Sequence, residues 1–199
     1  MVVVALVSCG PTAPAESSAP APESSEPAQT GDEPAPAEVL DIAVEVKATE
    51  SDFWQYLLIG AEQYSKDFPD RAKVTTYGPA KELDVDEAVS ILEQIIETEP
   101  DGIVLASNSS DATVPAIEDA YDKGIICIIT DNALNTDKYH AFLATDNIVG
   151  GALAADALVE GMEKNGSTEG TVFVLSSSAG SQVITNRQKG FLDQMNSKY

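Results

Sequence analysis

Four short stretches carry side chains suited to gripping a small, polar, uncharged guest. The first is Ser51-Asp52-Phe53-Trp54. Two adjacent aromatics at a helix start can stack on an apolar ring face, such as the C–H face of a sugar, though either could equally serve the core. Trp54 is the only tryptophan in the chain. The second is Asp131-Asn132, directly after a very apolar run. A carboxylate there can accept two hydroxyl hydrogen bonds from a neutral polyol, or make a turn or cap. The third, Thr145-Asp146-Asn147, sits where the chain leaves the first set of strands, with turn chemistry the even alternative. The fourth is Arg187 within Thr185-Asn186-Arg187-Gln188-Lys189-Gly190, one of two arginines. Its planar fork can donate to ring and hydroxyl oxygens, but by spacing alone it reads as a solvated helix residue.

Covalent chemistry has no comparable constellation. His140 is the sole histidine, so no histidine cluster can build a metal site. Ser176-Ser177-Ser178 lacks the G-x-S-x-G elbow. Cys127 lies in mid-strand and reads as a small buried hydrophobe. Neither a G-x-G-x-x-G nor a P-loop follows any strand. The expectation is therefore no enzyme, no cofactor and no metal.

The elements that must position these residues alternate. Val39–Ala48 has period two, with Leu40, Ile42, Val44 and Val46 on one face. Trp54, Leu57, Leu58, Ala61, Tyr64 and Phe68 make a helical stripe, with Ser51 or Asp52 as its N-cap. Ala72–Tyr77 is a second strand. A helix from Asp84 to Glu99 opens with capping-box spacing between Asp84 and Glu87. Gly102–Ala106 is a third strand, followed by a helix capped by Asp111 and running through Lys123, where Gly124 suits a left-handed exit. Ile125–Thr130 is apolar nearly throughout, as in a parallel strand covered on both faces. Ala141–Ala144 is a short strand. A helix from Ile148 to about Lys164 closes at Asn165-Gly166. Thr171–Leu175 reads as another strand and Gln182 to Met195 as a last helix. Strands separated by helices imply an α/β fold with a doubly wound parallel sheet. Ligands bind such sheets at the carboxyl ends of the strands, where the first three stretches fall.

The chain has 199 residues and a formal net charge of -22. That argues against wrapping nucleic acid, which needs a basic face, and against a polybasic membrane module. No apolar run reaches the ~18 residues of a spanning helix. Residues 10–38 hold six acids, no base and seven of the eleven prolines, so little there can offset the entropy of ordering. They read as an extended, disordered tether. Before it, Met1–Val7 and Leu6-Val7-Ser8-Cys9 resemble the end of a bacterial lipoprotein signal, without its basic start. This predicts a leader over 1–9, lipidation of Cys9, export and membrane anchoring.

Along the body the chain resembles the ribose-binding protein family, the type 1 periplasmic sugar-binding proteins. The stretches that carry the resemblance are Lys47–Trp54, Pro79–Leu83, Asp101–Leu105, Asp111-Ala112 with Val114–Glu118, Thr145–Asn147 with Gly150-Gly151, and Arg187 with Gly190-Phe191. It implies two similar α/β lobes, here 39–146 and the start of a second at 147–199, hinged to close on a small sugar. It further implies that Phe53 and Trp54 hold the sugar ring, that Asp131 accepts its hydroxyls, that Arg187 donates to it, and that Thr145 and Ser51 line the pocket. Asn132 stands where the family often has arginine, and Ala106-Ser107 where ribose binders carry asparagine. Asp41, Glu45 and Lys47 are unusually polar for a central strand. The second lobe stops one helix after Thr171–Leu175, which reads as a C-terminal truncation. The implied function is an extracytoplasmic lipoprotein, monomeric when complete, that delivers a sugar to an ABC permease. A sensor presenting the ligand to a chemoreceptor or membrane kinase is the alternative. A sugar-responsive repressor is disfavoured, because an acidic tether stands where its helix-turn-helix would be.

Overall fold

The computed structural model describes residues 38–167, 169–176 and 180–199. The expected leader, Cys9 and the tether up to residue 37 lie outside the described residues, as do Ser177 and Ser178 of the serine run.

Five parallel strands form one sheet in the order β2-β1-β3-β4-β5: β1 Leu40–Glu45, β2 Ala72–Tyr77, β3 Gly102–Leu105, β4 Ile126–Thr130 and β5 Ala141–Leu143. Helices α1 (Asp52–Asp67), α2 (Val85–Glu97) and α3 (Val114–Asp122) connect the first four strands. This is the doubly wound α/β arrangement expected from the alternation. The order reverses between β1 and β3, and the crevice beyond their carboxyl ends is where such sheets hold ligands.

Two cores flank the sheet. Leu92, Ile95 and Ile96 of α2 and Ala116, Ile117 and Ala120 of α3 pack with Ala43, Ile103, Leu105, Cys127 and Ile129. Trp54 and Leu58 of α1 pack on the other face with Val44, Val46, Ala48 and Ala106. The period of a strand separates Ala43 and Val44 in this way.

Several helix starts differ from the sequence expectation. Ser51 and Asp84 occupy the N-cap positions of α1 and α2, but neither side chain makes a cap hydrogen bond. The third helix starts at Val114, not after Asp111. Pro115 explains the shift: a helix begun at Asp111 would set its ring against the Asp111 carbonyl, whereas in the first turn its missing N–H costs nothing. Residues 111–113 form a turn instead, with the Val114 N–H on Asp111 O at 3.1 Å. The helix exits follow the expectation. Gly124 has φ +85, its N–H reaches Tyr121 O at 3.0 Å and that of Ile125 reaches Ala120 O at 3.1 Å, a Schellman pair.

Beyond the sheet, α4 (Asn147–Lys164) and α5 (Gln182–Lys198) pack on each other. Their backbones meet at two glycines. A Cβ on Gly151 would lie 2.1 Å from Arg187 O, and one on Gly190 would lie 2.0 Å from Ile148 O. The strand expected at Thr171–Leu175 does not form. No described strand lies beside it to complete a ladder, and Phe173 and Leu175 are almost fully exposed. A strand exists only through its partner's hydrogen bonds, so strand-favouring residues alone do not make one.

Candidate functional site

The carboxyl rim of β1 and the turn after β4 meet through charge. Lys47, just past β1, is buried, and its Nζ lies 2.6 Å from Asp131 Oδ2. The same ammonium lies 5.7 Å from the centroid of the Trp54 ring, within cation–π range. Asp131 takes φ +64, a left-handed conformation that aspartate tolerates better than most residues. Its carboxylate keeps 24% of its side-chain surface open to solvent. Lys47 occupies one oxygen, and the group has a second that a hydroxyl can reach.

The two aromatics have different roles. Trp54 is buried in the α1 core, and its Nε1–H donates to Glu82 Oε1 at 2.8 Å. Phe53 is 65% exposed and meets Trp54 edge-on, with ring centroids 4.9 Å apart. Phe53 therefore offers an open aromatic face, while Trp54 backs it and supports Lys47. Ser51 is half-buried at the start of α1.

Asn132 departs from the expectation of a side chain facing the guest. It has no exposed surface. Its Oδ1 accepts from the Gln182 N–H at 3.0 Å, the Val183 N–H at 3.4 Å and Ser181 Oγ at 3.3 Å. Its Nδ2 donates to Ser110 Oγ at 3.2 Å. Neighbouring chain absorbs the whole amide, so a guest has nothing left to bind.

Thr145 and Arg187 come together elsewhere, around a cavity of about 540 Å³ that Asn147, Gly151 and Phe191 also line. Arg187 Nε–H donates to Asn147 Oδ1 at 2.7 Å. That bond orients the guanidinium and leaves its terminal Nη groups to donate outward. Asp146 caps α4, its Oδ1 accepting from the Val149 N–H at 3.0 Å, so turn and cap chemistry accounts for that residue.

Three rim residues carry more than the sequence reading assigned them. Glu45 and Lys47 were visible as excess polarity in the expected strand Val39–Ala48, and Lys47 also as the first residue of the stretch Lys47–Trp54. Asn108, after β3, is buried and donates to Lys47 O at 2.9 Å and to Glu82 O at 2.8 Å, tying β1, β3 and the loop before α2 together. Among the described residues its Oδ1 has no partner, and neither does Glu45 Oε2. Burial pushes the Glu45 carboxyl up to about 8, so it is mostly neutral at pH 7. The signal was there: a polar residue in a strand with helices on both faces needs a reason.

Other reactive groups are engaged away from the rim. His140 Nδ1 accepts from the Cys127 N–H at 3.0 Å, and the imidazole lies 5.0 Å from the Tyr121 ring. Desolvation raises the Cys127 thiol to about 11, far from thiolate reactivity. Among the described residues no cluster of His, Cys, Asp and Glu could hold a metal ion. No described helix is long and apolar enough to cross a membrane.

The sheet rim thus presents an open aromatic face and a buried charged pair, and the α4–α5 cavity presents a separate arginine. Residues 42–199 match the family described as periplasmic binding protein domain, and the chain belongs to that family of binding proteins. It is 29% identical over 160 residues to the D-ribose/D-allose-binding protein of Pseudomonas aeruginosa, covering 77% of this chain and 49% of that protein. A carbohydrate transporter solute binding protein from Agrobacterium radiobacter, solved in complex with D-arabinose, superposes with a TM-score of 0.76 at 33% identity, over 82% of this chain and 55% of the other. An ABC transporter solute binding protein from Agrobacterium vitis with bound D-fucose gives a TM-score of 0.72 at 35% identity, over 79% and 54%. The chain thus spans about half the length of the curated relatives it matches.

Proposed function

We propose that this chain forms the sugar-gripping portion of an extracytoplasmic lipoprotein that delivers a monosaccharide or related small polyol to an ABC importer. Residues 39–146 act as one lobe and 147–199 begin the second. Closure of the two, stabilised by the guest, is the signal the permease reads. Cys9 carries the lipid, and residues 10–38 hold the lobes away from the membrane.

The observation that carries this reading is the rim itself: an open Phe53 face on Trp54, whose ring the buried Lys47 overlies while holding the Asp131 carboxylate. Phe53 covers the C–H face of the ring. Asp131 accepts ring hydroxyls, a charge-assisted contact worth about twice a neutral one. Thr145 and the Nη groups of Arg187 donate to hydroxyl and ring oxygens from the α4–α5 side, and Ser51 lines the wall. All these contacts suit a neutral polyhydroxylated guest. Further support comes from the relatives, whose names are those of sugar binders.

Titration of pentoses and hexoses into the intact protein tests this. Trp54, ringed by Lys47 and Glu82, should change emission as the rim fills. Asp131→Ala should weaken the sugar that binds by about 10- to 100-fold, the loss of one or two hydrogen bonds to a charged group. Neither an emission change nor a thermal shift with any such sugar would defeat the proposal.

A further inference from the structure

The first turn of α5 is not capped by its own N-cap residue. Ser181 has the extended backbone of an N-cap, φ -89 and ψ 118, yet its hydroxyl makes no bond to its own helix. The leading N–H groups of a helix have no partner within it. Here Asn132 supplies one from 50 residues away: its Oδ1 takes the N–H of Gln182 at 3.0 Å and that of Val183 at 3.4 Å. The donor side of the same amide holds Ser110 on the β3–α3 loop at 3.2 Å. One wholly buried side chain thus joins the sheet rim to the helix that carries Arg187.

Its position in the chain matters. Asp131, the residue before it, sits at φ +64 with its carboxylate on Lys47. The left-handed turn sends consecutive side chains to different places, Asp131 to the rim and Asn132 to α5. Arg187 follows one and a half turns into α5. It is held there by Asn147 and by the close approach of its carbonyl to Gly151. We infer that Asn132 is a positioning residue that transmits the placement of Asp131 to Arg187 through the first turn of α5. This rests on the proposed sugar site, and it assigns Asn132 to the coupling of the two gripping groups rather than to contact with the guest.

Two substitutions in the intact protein test it. Asn132→Ala removes the cap and should weaken sugar binding by roughly five- to tenfold, the size of a lost N-cap. Gln182→Pro removes one of the two N–H donors from the helix side. Proline suits the first helical position, and the extended Ser181 suits the residue before proline, so the fold is kept. It should weaken binding in the same direction by about twofold or more. In an Arg187→Ala background, Asn132→Ala should add less than about twofold, because its effect runs through Arg187. Full multiplication of the two losses, or an unchanged affinity in Gln182→Pro, would overturn the inference. Amide exchange gives a readout that needs no sugar: Asn132→Ala should deprotect Gln182 and Val183 while leaving β1 to β4 protected. If the wild-type protein binds no sugar, the proposed function fails and the cap is still decided by this exchange. Undiminished protection at Gln182 and Val183 would refute the cap itself.

Discussion

Residues 40–143 and the α4–α5 pair use their apolar side chains in different ways. The sheet region buries Leu92, Ile103, Leu105, Ile117 and Ile129 almost completely. It also leaves large apolar groups exposed on its outer surface, Phe53, Tyr56 and Leu83 among them. The α4–α5 pair buries chiefly small or polar positions, Asn147, Gly151, Ala155, Val183 and Gly190. Leu153 is 62% exposed and the neighbouring Phe173 85% exposed. Each βαβ crossover in the first region brings its own cover back over the strand it leaves, so contacts between sequence neighbours complete a core. Two helices that run the same way, with Asn147 meeting Arg187 and Asp156 meeting Gln194 and Lys198, approach closely at glycines but cover only one side. The lesson is that the two regions owe their order to different terms, apolar burial in one and close backbone approach in the other.

The largest effect should separate them directly. Ile117→Ala should cost ~2–5 kcal/mol of stability in urea unfolding, while Leu153→Ala stays within about 0.5 kcal/mol. Similar losses at both sites would erase the contrast. Next, Gly151→Ala must push a Cβ into the Arg187 carbonyl and should destabilise by ~1–3 kcal/mol. Gly161→Ala, also in α4, meets nothing within 4 Å and should instead stabilise by about 0.5–1 kcal/mol. If both substitutions act alike, close approach is not what holds α4 to α5.

A third effect concerns buried charge. Glu45 holds its proton in the folded protein up to about pH 8, whereas an unfolded glutamate loses it near 4.5. Between those values the folded state binds more protons, so stability falls as pH rises, by at most ~1.4 kcal/mol per pH unit. Glu45→Gln should flatten that slope in denaturant titrations from pH 5 to 8, and an unaltered slope would remove Glu45 as its source. The smallest effect should be Phe53→Ala. Its exposed ring contributes little to folding, so the melting temperature should hold while sugar affinity drops by about 2- to 10-fold. A large fall in melting temperature would make Phe53 a packing residue.

Much of this architecture was legible from residue order. Period two in Val39–Ala48, the α1 and α2 stripes, the apolar run Ile125–Thr130 and the glycine exits at Gly124 and Gly166 are local patterns, and each marks an element of the structure. The rule that parallel sheets bind at their carboxyl ends then placed Phe53, Asp131 and Thr145 at strand ends. The motif glycines Gly151 and Gly190 were visible as residues, but the contact between their helices was not. Pro115 was equally visible, and weighing its ring against the Asp111 carbonyl would have moved the start of α3 to Val114.

What the chain settles by itself is what neighbouring residues can settle: which segments alternate, which repeat every turn and where each must stop. Three features needed the folded molecule. Lys47 meets Asp131 across 84 residues, because β1 and β4 flank β3 in the sheet. Asn132 caps a helix 50 residues on. Of two adjacent aromatics, Trp54 turns inward and Phe53 outward, because α1 presents one face to the sheet. Thr171–Leu175 shows the same limit from the other side, since its residues all favour a strand and no described strand stands beside it. Periodicity is a property of a segment, whereas an ion pair, a borrowed cap or a strand is a property of two.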